Sequence, residues 1–443
     1  MDRSRDVLEA VRDMGVDLLD GAELPRWVLV RRRSEPAAEV DFDAVVGSGI
    51  RDLADGLGGL AGRRIAVGVG SRGIRDVAAV VAATVGALRE QGAEPFVVPA
   101  MGSHGSSHAS GQAAVLADLG VTEEALGVPV TATMDTVLLG RTGSGVPVHL
   151  DAAVAAADGV IVVNRVKPHT DFAGDFGSGL AKMAAIGLGN ITGATVVHAD
   201  GSAELPRVIT EFVEVLRDAG VLLGGVAIVE DSLGRTAEVA VVDAEGVAGD
   251  HERRLVARAR SLHGHLPFED LDVLVVDTMG KDISGAGMDT NVLGRFWIPG
   301  VPEPSGPHIA AVTVHRLTAA SRGNASGIGL ADLVPAALIA DVDLPATYVN
   351  ALTSGTGGLR RSRLPMVLPT DRDVVHAAAR MCGRRTIRDV RLVRVVSTLH
   401  LGEMLVSEPL LDAVAADPSL EVADEPRPVV FGARGELPAW PHL

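Results

Sequence analysis

Lysine is rare in this chain, and its three occurrences lie in unusual segments. Of the 40 basic residues among 443, only Lys167, Lys182 and Lys281 are lysines. An ammonium group can lose its proton and become a nucleophilic amine, whereas a guanidinium group cannot. The three lysines stand in KPHTDFAG, SGLAKMAAIG and MGKDISGAGMD, which are dense in Gly, His or Asp. The pattern favours lysines kept for chemistry over chance survival in an Arg-rich composition.

Two histidines are predicted to lie in loops at strand ends. His169 follows Pro168, which favours an extended conformation in the residue before it and ends the strand GVIVVN. His104 lies in the loop MGSHGSSH after another predicted strand. Strand-end loops are where α/β folds place their ligands. Each histidine alone could instead be an ordinary core or surface residue, but together they could supply an acid and a base.

An amine, a metal ligand and an anion clamp are predicted beside these histidines. Lys182 opens a predicted helix over residues 180–188, whose N-terminus could hold a phosphate or carboxylate. Apolar neighbours and the positive helix end favour the neutral amine needed for a covalent link. His198 ends the next predicted helix, and Arg72 ends a third strand, where a guanidinium suits carboxylate or phosphate binding. One imidazole cannot hold a metal alone, so a metal here would need further ligands, such as those of an organic cofactor.

The elements that must position these residues alternate as short apolar runs and helical stretches, which is typical of a parallel α/β fold. Strands are predicted at residues 64–70, 95–99, 159–164, 226–230, 238–242, 272–277, 309–314 and 390–396. Helices are predicted at residues 74–91, 108–119, 180–188, 191–197, 205–218 and 250–261. The segment LHGHLPF is a plausible hinge. We therefore expect two α/β domains, residues 1–262 and 266–443, with Rossmann-like parallel sheets and an active-site cleft between them. The Pro-rich tail, residues 421–443, is predicted to wrap back over a surface.

Composition excludes several classes of protein. A net charge of −17 argues against binding to nucleic acid or an anionic membrane surface. The single cysteine, Cys382, excludes a disulfide framework, a Cys-rich zinc site and an iron–sulfur cluster, and it fits a reducing compartment. No apolar run reaches the ~18 residues of a membrane span, and the N-terminus lacks an apolar signal segment. We expect a cytoplasmic protein with no membrane or nucleic-acid partner. A zinc hydrolase is disfavoured because the chain has no His-Glu-x-x-His motif.

These loops resemble those of the nickel-dependent lactate racemase family over most of the first domain. Gly-Ser-His at His104 looks like the family's Gly-Thr-His loop, and Lys-Pro-His-Thr-Asp-Phe-Ala-Gly at His169 looks like its His-Pro-His-Tyr-Phe-Ala-Gly stretch. Lys182, after a Gly/Ser-rich turn, looks like the cofactor lysine. His198 looks like the nickel histidine, and Arg72 looks like the arginine of the first strand-end loop.

The resemblance implies an isomerase that racemises or epimerises a lactate-like 2-hydroxy acid. It implies nickel held by pyridinium-3-thioamide-5-thiocarboxylic acid mononucleotide, a nickel-pincer nucleotide built by cofactor-maturation enzymes and linked to Lys182. His198 would be the protein ligand of the nickel. His104 and His169 would act as acid and base on opposite faces of the substrate while hydride moves reversibly to the pincer. Arg72 would bind the substrate carboxylate.

The chain also departs from the family's pattern. The turn before Lys182 is longer, Arg72 is followed by Gly rather than Pro, and His104 is followed by Gly-Ser rather than Arg-Pro. The family's Gln-x-x-Lys substrate element is absent from the second domain, where Lys281 is predicted to bind the substrate carboxylate instead. We therefore expect a divergent branch, and the sequence leaves open which hydroxy or sugar acid it uses and whether it forms oligomers.

Two alternatives remain at this point. A nicotinamide-dependent 2-hydroxy-acid dehydrogenase would use GVGSRGIRD, which loosely echoes a Gly-x-Gly-x-x-Gly turn. No acidic residue ends the following strand to bind a ribose, which weakens that interpretation. The other alternative is a non-catalytic protein that binds a metal or a nucleotide.

Overall fold

The computed structural model describes residues 3–14, 23–33, 39–70, 74–171 and 177–440. The chain divides into two compact units. The first unit comprises Met1–Pro36, Thr170–Phe172 and Gly264–Leu443, and the second comprises Ala37–His169 and Ala173–His263. The N-terminal segment therefore belongs with the C-terminal part of the chain, which the apolar pattern of the sequence does not indicate.

The second unit is built on a five-stranded sheet. Its strands, in spatial order, are Thr236–Asp243, Leu222–Glu230, Gly159–Arg165, Arg64–Val69 and Glu94–Pro99. The first pair is antiparallel and the other three pairs are parallel. The five strands predicted for this part of the chain are confirmed, with shifted ends.

The central strands of this sheet are apolar because both faces are covered. In Arg64–Val69 every residue after the arginine is buried, the continuous apolar run expected of a parallel strand inside an α/β fold. Alternate residues point to opposite faces. One face packs against the helices Phe42–Gly56 and Val77–Glu90 in a shared core. On the other face, Gly68 lies against the side chain of Leu188. The sheet is thus held between two helical layers.

The remaining elements of the second unit include the pieces that carry the candidate site. Its other α-helices are Ala109–Asp118, Glu123–Leu126, Ala152–Ala155, Leu180–Lys182, Asn190–His198, Leu205–Asp218 and Asp250–Leu262. A 3-10 turn spans Gly105–Ser107, and two antiparallel pairs join Thr136–Arg141 to Pro147–Asp151 and Lys167–Pro168 to Gly177–Ser178.

The predicted helix over residues 180–188 is wrong in type after its first turn. Leu180–Lys182 is α-helical, but Met183–Gly187 is a π-helical turn. The amide of Leu188 donates to the carbonyl of Met183 at 3.0 Å, five residues back rather than four. The backbone of Gly187 lies so close to Ala100 that a Cβ on Gly187 would come within 2.6 Å of the Ala100 carbonyl oxygen. Contact with a strand end thus accompanies the wider turn, and such turns are frequent at functional sites.

The first unit is built on an eight-stranded mixed sheet. Its strands, in spatial order, are Met366–Leu368, Leu333–Pro335, His308–Leu317, Asp270–Met279, Leu392–Val395, Glu403–Ser407, Trp27–Arg32 and Leu420–Val422. The first five strands run parallel to one another, and the remaining three pairings, from Leu392–Val395 to Leu420–Val422, are antiparallel. The antiparallel side is missing from the sequence-based prediction of a parallel sheet.

The helices of the first unit surround this sheet, and the tail packs on it. They are Arg3–Arg12, Thr290–Leu293, Ala336–Ala340, Leu344–Thr353, Thr356–Arg361, Asp371–Met381 and Leu411–Ala416, with 3-10 turns at Ala319–Ser321, Ile328–Leu330, Ile387–Asp389 and Glu408–Leu410. Trp440 is buried in a core that contains Trp27 and Leu405. The tail thus returns to the surface of its own unit.

Asp371 is a buried carboxylate of the first unit that contacts two basic side chains. Arg316 donates to both of its carboxylate oxygens, at 2.9 and 2.7 Å, and Nδ1 of His315 lies 3.0 Å from Oδ1. The amide of Leu437 donates to Oδ2 at 2.9 Å, which ties the tail to this carboxylate. Burial alone would raise the pKa of Asp371, but the hydrogen bonds from His315 and Arg316 lower it below its ordinary value.

Among the described residues, no single helix has the length and apolar character needed to cross a membrane. One bent pair, Leu180–Gly187 and Asn190–His198, meets that requirement only when the two are taken together, across a bend of 109°.

Candidate active site

The carboxyl ends of three parallel strands form one edge of the five-stranded sheet, and the chain changes direction there. From Arg64–Val69 the chain goes first to a strand on one side and later to Gly159–Arg165 on the other side. Such a switch point leaves a crevice outside the strand ends, where open α/β sheets bind ligands. A Cβ on Gly70 would collide with Oδ1 of Asn164 and would lie 3.6 Å from Sδ of Met183. The switch point therefore lies directly beside the turn that follows Lys182.

A short antiparallel ladder holds Lys182 and His169 together. Lys167–Pro168 pairs with Gly177–Ser178, and a Cβ on Gly177 would collide with the carbonyl oxygen opposite, so this approach requires glycine. His169 directly follows the first strand, and Lys182 follows the second by one short turn. Nζ of Lys182 lies 2.6 Å from Nε2 of His169. Because an ammonium group only donates, Nε2 is the accepting nitrogen in this contact.

Glu252 is a buried carboxylate at the start of the Lys182 helix. It is 1% exposed. Its oxygens accept the amide of Ala181 at 3.1 and 3.2 Å and the amide of Ala248 at 2.8 Å, and the amide of Leu180 donates as well. Burial raises the pKa of Glu252, and the amide donors offset part of that rise. The helix start that we expected to receive a ligand anion thus receives a carboxylate of the chain itself.

His198 ends the helix Asn190–His198, as the sequence predicts. Its Nδ1 lies 2.6 Å from the backbone oxygen of Ala194, one turn earlier. A carbonyl oxygen only accepts, so Nδ1 carries the proton, and in the neutral ring Nε2 presents a lone pair. Metal-binding histidines commonly donate one ring N–H to a carbonyl in this way, which fixes the orientation of the ring.

A second buried carboxylate, Asp151, anchors the start of the His198 helix. Nδ2 of Asn190 donates to Oδ2 of Asp151 at 2.8 Å and to the carbonyl of Thr133 at 3.0 Å. Asn190 has a φ of 51°, in the left-handed region that asparagine tolerates better than most residues. Asp151 also caps Ala152–Ala155, and burial raises its pKa. Two buried carboxylates therefore fix the two helices that carry the predicted amine and the predicted metal ligand.

The His104 loop is attached to the turn that follows Lys182. The amide of Gly102 donates to the carbonyl of Gly187 at 3.1 Å, and Nε2 of the buried Gln112 donates to the carbonyl of Gly102 at 2.9 Å. His104 itself is partly buried and directly precedes a 3-10 turn. The structure thus brings the His104 loop, Lys182 and His169 to one edge of the sheet.

The other two predicted site residues are Arg72 and Lys281. Arg72 lies outside the described residues. Lys281 lies in the other unit, where its Nζ donates to the carbonyl of Gly285 at 2.7 Å and its amide donates to Oγ of Ser321 at 3.0 Å. Their roles as substrate ligands stay predictions. Within the described part of the chain, no cluster of three or more His, Cys, Asp or Glu side chains could hold a metal ion. The role of His198 as a metal ligand stays a prediction.

Glu252 is a residue of the candidate site that the sequence analysis did not single out. Its position carried a signal, because Glu252, Leu255, Val256 and Ala259 are the buried residues of that helix. They follow the i, i+3, i+4, i+7 spacing of a helix face that packs on a core. A carboxylate on such a face must be satisfied internally. Asp151 gave a weaker signal, as a helix cap before two alanines.

Comparison with known proteins identifies the segment that carries this site. Residues 74–205 match the family model of the lactate racemase N-terminal domain. This segment belongs to the lactate racemase family. His104, His169, Lys182 and His198 all lie inside it, and Arg72 lies just before it. The resemblance seen in the sequence is therefore confirmed for this lactate racemase segment, which is less than a third of the chain. No curated protein matches the chain.

Solved structures similar to the chain include two distant ones. The lactate racemase apoprotein from Thermoanaerobacterium thermosaccharolyticum is 12% identical, with a TM-score of 0.42 over 57% of this chain and 66% of that one. A protein from Thermotoga maritima solved by a structural genomics consortium is 14% identical, with a TM-score of 0.43 over 64% of this chain and 71% of that one. The chain thus spans just under two thirds of the length of the first.

Proposed function

We propose that the chain is a racemase or epimerase of a 2-hydroxy acid and carries a nickel-pincer nucleotide on Lys182. The observation that carries this proposal is the lactate racemase segment, residues 74–205, which contains the amine and all three histidines of the candidate site. The contact between Lys182 and His169 supports it, because the two residues come from different sides of a ladder and meet beside the switch point.

Lys182 and His198 suit the chemistry of the nickel-pincer nucleotide. A lysine amine can form the thioamide link, whereas the guanidinium that replaces lysine almost everywhere else in this chain cannot. His198, with Nδ1 donating to a carbonyl, has the ring form that binds a metal through Nε2. A single protein imidazole is sufficient only where an organic group supplies the remaining ligands. When bound, the cofactor supplies reversible hydride exchange at the α-carbon of the substrate.

The histidines of the chain move the substrate proton. Oxidation of a 2-hydroxy acid to its keto form releases the hydroxyl proton, and reduction from the other face takes one back. We assign these steps to His169, at Nε2, and to His104, one on each face of the planar keto acid. Imidazoles with an ordinary pKa near ~6.5 can accept and return a proton at neutral pH. Arg72 and Lys281 would hold the carboxylate, which leaves the hydroxyl and the α-hydrogen free to react.

The proposal also covers the cellular compartment of the protein, its partner enzymes and the class of its substrate. A single cysteine fits a reducing compartment, and we place the protein in the cytoplasm, where cofactor-maturation enzymes would load it. The substrate is a small anionic acid rather than a nucleic acid or a lipid.

To test the proposal, the whole chain is expressed in a host that synthesises the nickel-pincer nucleotide, so that the cofactor can attach to it. Intact-mass and peptide mass spectrometry should find an adduct on Lys182, with about one nickel per chain, and chiral chromatography should show both enantiomers of a 2-hydroxy acid converging to equal amounts. Lys182→Arg is the matched control, since it keeps the charge and removes the amine. Active protein with an unmodified Lys182 would overturn the proposal.

The same assay in D2O separates the proposed chemistry from its rivals. Hydride exchange should leave the α-carbon without deuterium, whereas a racemase that removes an α-proton would introduce it. Stoichiometric binding of NAD, or product formation only when NAD is added, would favour a dehydrogenase instead.

A further inference from the structure

Lys182 and His169 form a donor–acceptor pair, and the racemase cycle requires the two residues in one site but not in direct contact. Nζ and Nε2 are 2.6 Å apart, although the proposed cycle needs Nε2 to face a substrate hydroxyl and needs Lys182 only as an attachment point. His169 is 4% exposed, and Lys182 is partly exposed. An accessible amine in contact with a buried imidazole is the arrangement of a nucleophile and its general base.

We propose that His169 is the general base for acylation of Lys182, so that this chain promotes its own covalent modification by an activated carboxylic or thiocarboxylic acid derivative. The identity of the natural acyl donor rests on the proposed function, whereas the chemistry of the pair does not. In this proposal His169 acts as a general base during the modification of Lys182, before the hydroxy-acid substrate binds.

The positions of both groups are set by the backbone. The ladder of Lys167–Pro168 and Gly177–Ser178 fixes the backbone that precedes His169 and the backbone that precedes Lys182. Glu252 holds the amide of Ala181, next to Lys182, with both of its oxygens. The amine and the imidazole are therefore held at hydrogen-bond distance before an acyl donor binds, which is the geometric requirement for general-base assistance.

The reaction balances without an oxidant or a reductant. The ammonium of Lys182 first releases one proton to water, which leaves a neutral amine with two N–H bonds, one of which faces Nε2 of His169. As the C–N bond forms, the bond from the acyl carbon to its leaving group X breaks, and the amine proton passes to Nε2. The imidazolium then gives this proton to X. The products are N-acyl or N-thioacyl lysine and HX, and the imidazole is regenerated.

The chain supplies its own internal controls because it has only three lysines. Lys167 and Lys281 are partly exposed, like Lys182. Nζ of Lys281 donates to the carbonyl of Gly285, which accepts a hydrogen bond but cannot take up the proton. Because their exposure is similar, the acylation rates of Lys182 and Lys281 can be compared directly in one sample.

The experiment uses the full chain without cofactor and a limiting amount of acetyl N-hydroxysuccinimide ester as the probe. Site-resolved peptide mass spectrometry gives the acetylation rate of each lysine at pH 7.5, a condition we choose above the ordinary histidine pKa of ~6.5. We expect Lys182 to react at least ~10-fold faster than Lys281, below the ~10²–10⁴-fold range of strong general-base catalysis because the probe is not the natural donor. His169→Gln should bring Lys182 down to the rate of Lys281.

Two further variants separate a chemical role from a structural one. Added imidazole should restore part of the Lys182 rate in His169→Ala, where the side chain leaves space for it, while the rates of Lys167 and Lys281 stay unchanged. His108→Gln, at an exposed histidine of the neighbouring loop, should leave the Lys182 rate unchanged. Unaltered far-ultraviolet circular dichroism and an unaltered rate at Lys167, which lies in the same unit as both histidines, would show that each variant is folded.

Two results would overturn the inference: equal rates at Lys182 and Lys281, or an unchanged Lys182 rate in folded His169→Gln. Fast acetylation of Lys182 together with no adduct in the cofactor-building host would leave the inference standing and remove the racemase proposal. A cofactor adduct on Lys182 in folded His169→Gln, formed as fast as in the unmutated chain, would leave the racemase proposal standing and remove this inference.

Discussion

Replacement of Glu252 by Gln should change how the stability of the second unit depends on pH. Gln has nearly the shape of a protonated glutamate but does not titrate. The ordinary pKa of a glutamate is 4.5, and burial raises that of Glu252 in the folded chain. Between the two values the folded state keeps a proton that the unfolded state has released, so the free energy of unfolding falls as pH rises. The protonated form of Glu252 stabilises the folded chain fully below pH 4.5. This stabilisation is lost as the pH rises through the raised pKa of Glu252 in the folded chain.

The size of the effect follows from the contacts of Glu252. Each unit of difference between the folded and unfolded pKa is worth about 1.4 kcal/mol, so the unmutated chain should lose stability relative to Glu252→Gln from pH 5 upwards. Glu252→Ala is more severe at every pH, because it leaves the amides of Leu180, Ala181 and Ala248 buried without this acceptor. At about 1–3 kcal/mol for each unsatisfied group, we expect a loss of roughly 3 kcal/mol or more.

The assay is urea denaturation at pH 5, 6, 7 and 8, followed by two signals. All three tryptophans, Trp27, Trp297 and Trp440, lie in the unit that does not contain Glu252. Circular dichroism reports on both units, and tryptophan fluorescence reports on the first unit alone. The Gln variant should change the pH dependence of the circular dichroism midpoint and leave the fluorescence midpoint less affected. Glu90→Gln, at an exposed glutamate of the same unit, is the control and should show no change in slope.

A growing advantage of the unmutated chain over Glu252→Gln with rising pH would refute this reasoning. It would mean that the ionised carboxylate is the stabilised form and that the three amide donors outweigh burial. The carboxylate would then act as a permanent anion at the start of the Lys182 helix.

Two other perturbations test the separate parts of the chain. His198→Ala should lower the nickel content of loaded protein by at least ~10-fold, as loss of a ligand must exceed the ~10–100-fold cost of losing an outer-shell partner, while the Lys182 adduct remains in the intact mass; undiminished nickel would remove His198 from the metal site. Asp371→Asn should cost roughly 3 kcal/mol, measured from the tryptophan fluorescence transition in urea, because it leaves the buried His315 and the partly exposed Arg316 without a charged partner. Since the pKa of Asp371 is lowered on folding, its contribution is present above pH 3.8 and is lost as pH falls, so a cost of the substitution that is equal at pH 3 and pH 7 would contradict this account.

The parallel strands could be predicted because their sequence signal is local. RIAVGV, GVIVVN and DVLVVD are apolar on both faces, and each appears in the structure as a central strand. The antiparallel side of the eight-stranded sheet gave no such signal. Trp27–Arg32 ends in two arginines, and its partner Glu403–Ser407 lies at the far end of the chain. A pairing over that separation is set by tertiary packing, which the pattern of one segment does not reveal.

One local signal was available and was not used. The segment TVLLGRTGSGVPVHLD forms a hairpin of Thr136–Arg141 and Pro147–Asp151. Its Thr-Gly-Ser-Gly stretch between two runs of β-formers is typical of a hairpin turn. The hairpin matters for the site because its last residue is Asp151, which holds the start of the His198 helix.

The types of the site residues could be predicted, but their contacts could not. Loop composition and the family resemblance singled out His104, His169, Lys182 and His198. The meeting of Lys182 with His169 depends on a ladder of two residues on each side, which is too short to leave a periodic pattern. Glu252 is not among the predicted site residues, although one face of its helix is buried. The missed features are those in which a few polar atoms, rather than a run of apolar ones, decide the geometry.

Because lysine is rare in this chain, each lysine is a candidate nucleophile. The hydrogen-bond acceptor beside its amine indicates whether the amine can be deprotonated locally. Nζ of Lys281 faces a carbonyl oxygen, which can hold an ammonium but cannot take its proton. Nζ of Lys182 faces an imidazole, which can do both. Arginine at position 182 could still donate to His169, but it could never present a lone pair to an acyl carbon. Selection for charge alone would therefore permit arginine there, as it does at 37 other positions of this chain, whereas selection for a nucleophile would not. The acetylation rates of Lys182 and Lys281 thus test directly whether the rarity of lysine and the contact between Lys182 and His169 both reflect a nucleophilic amine at position 182.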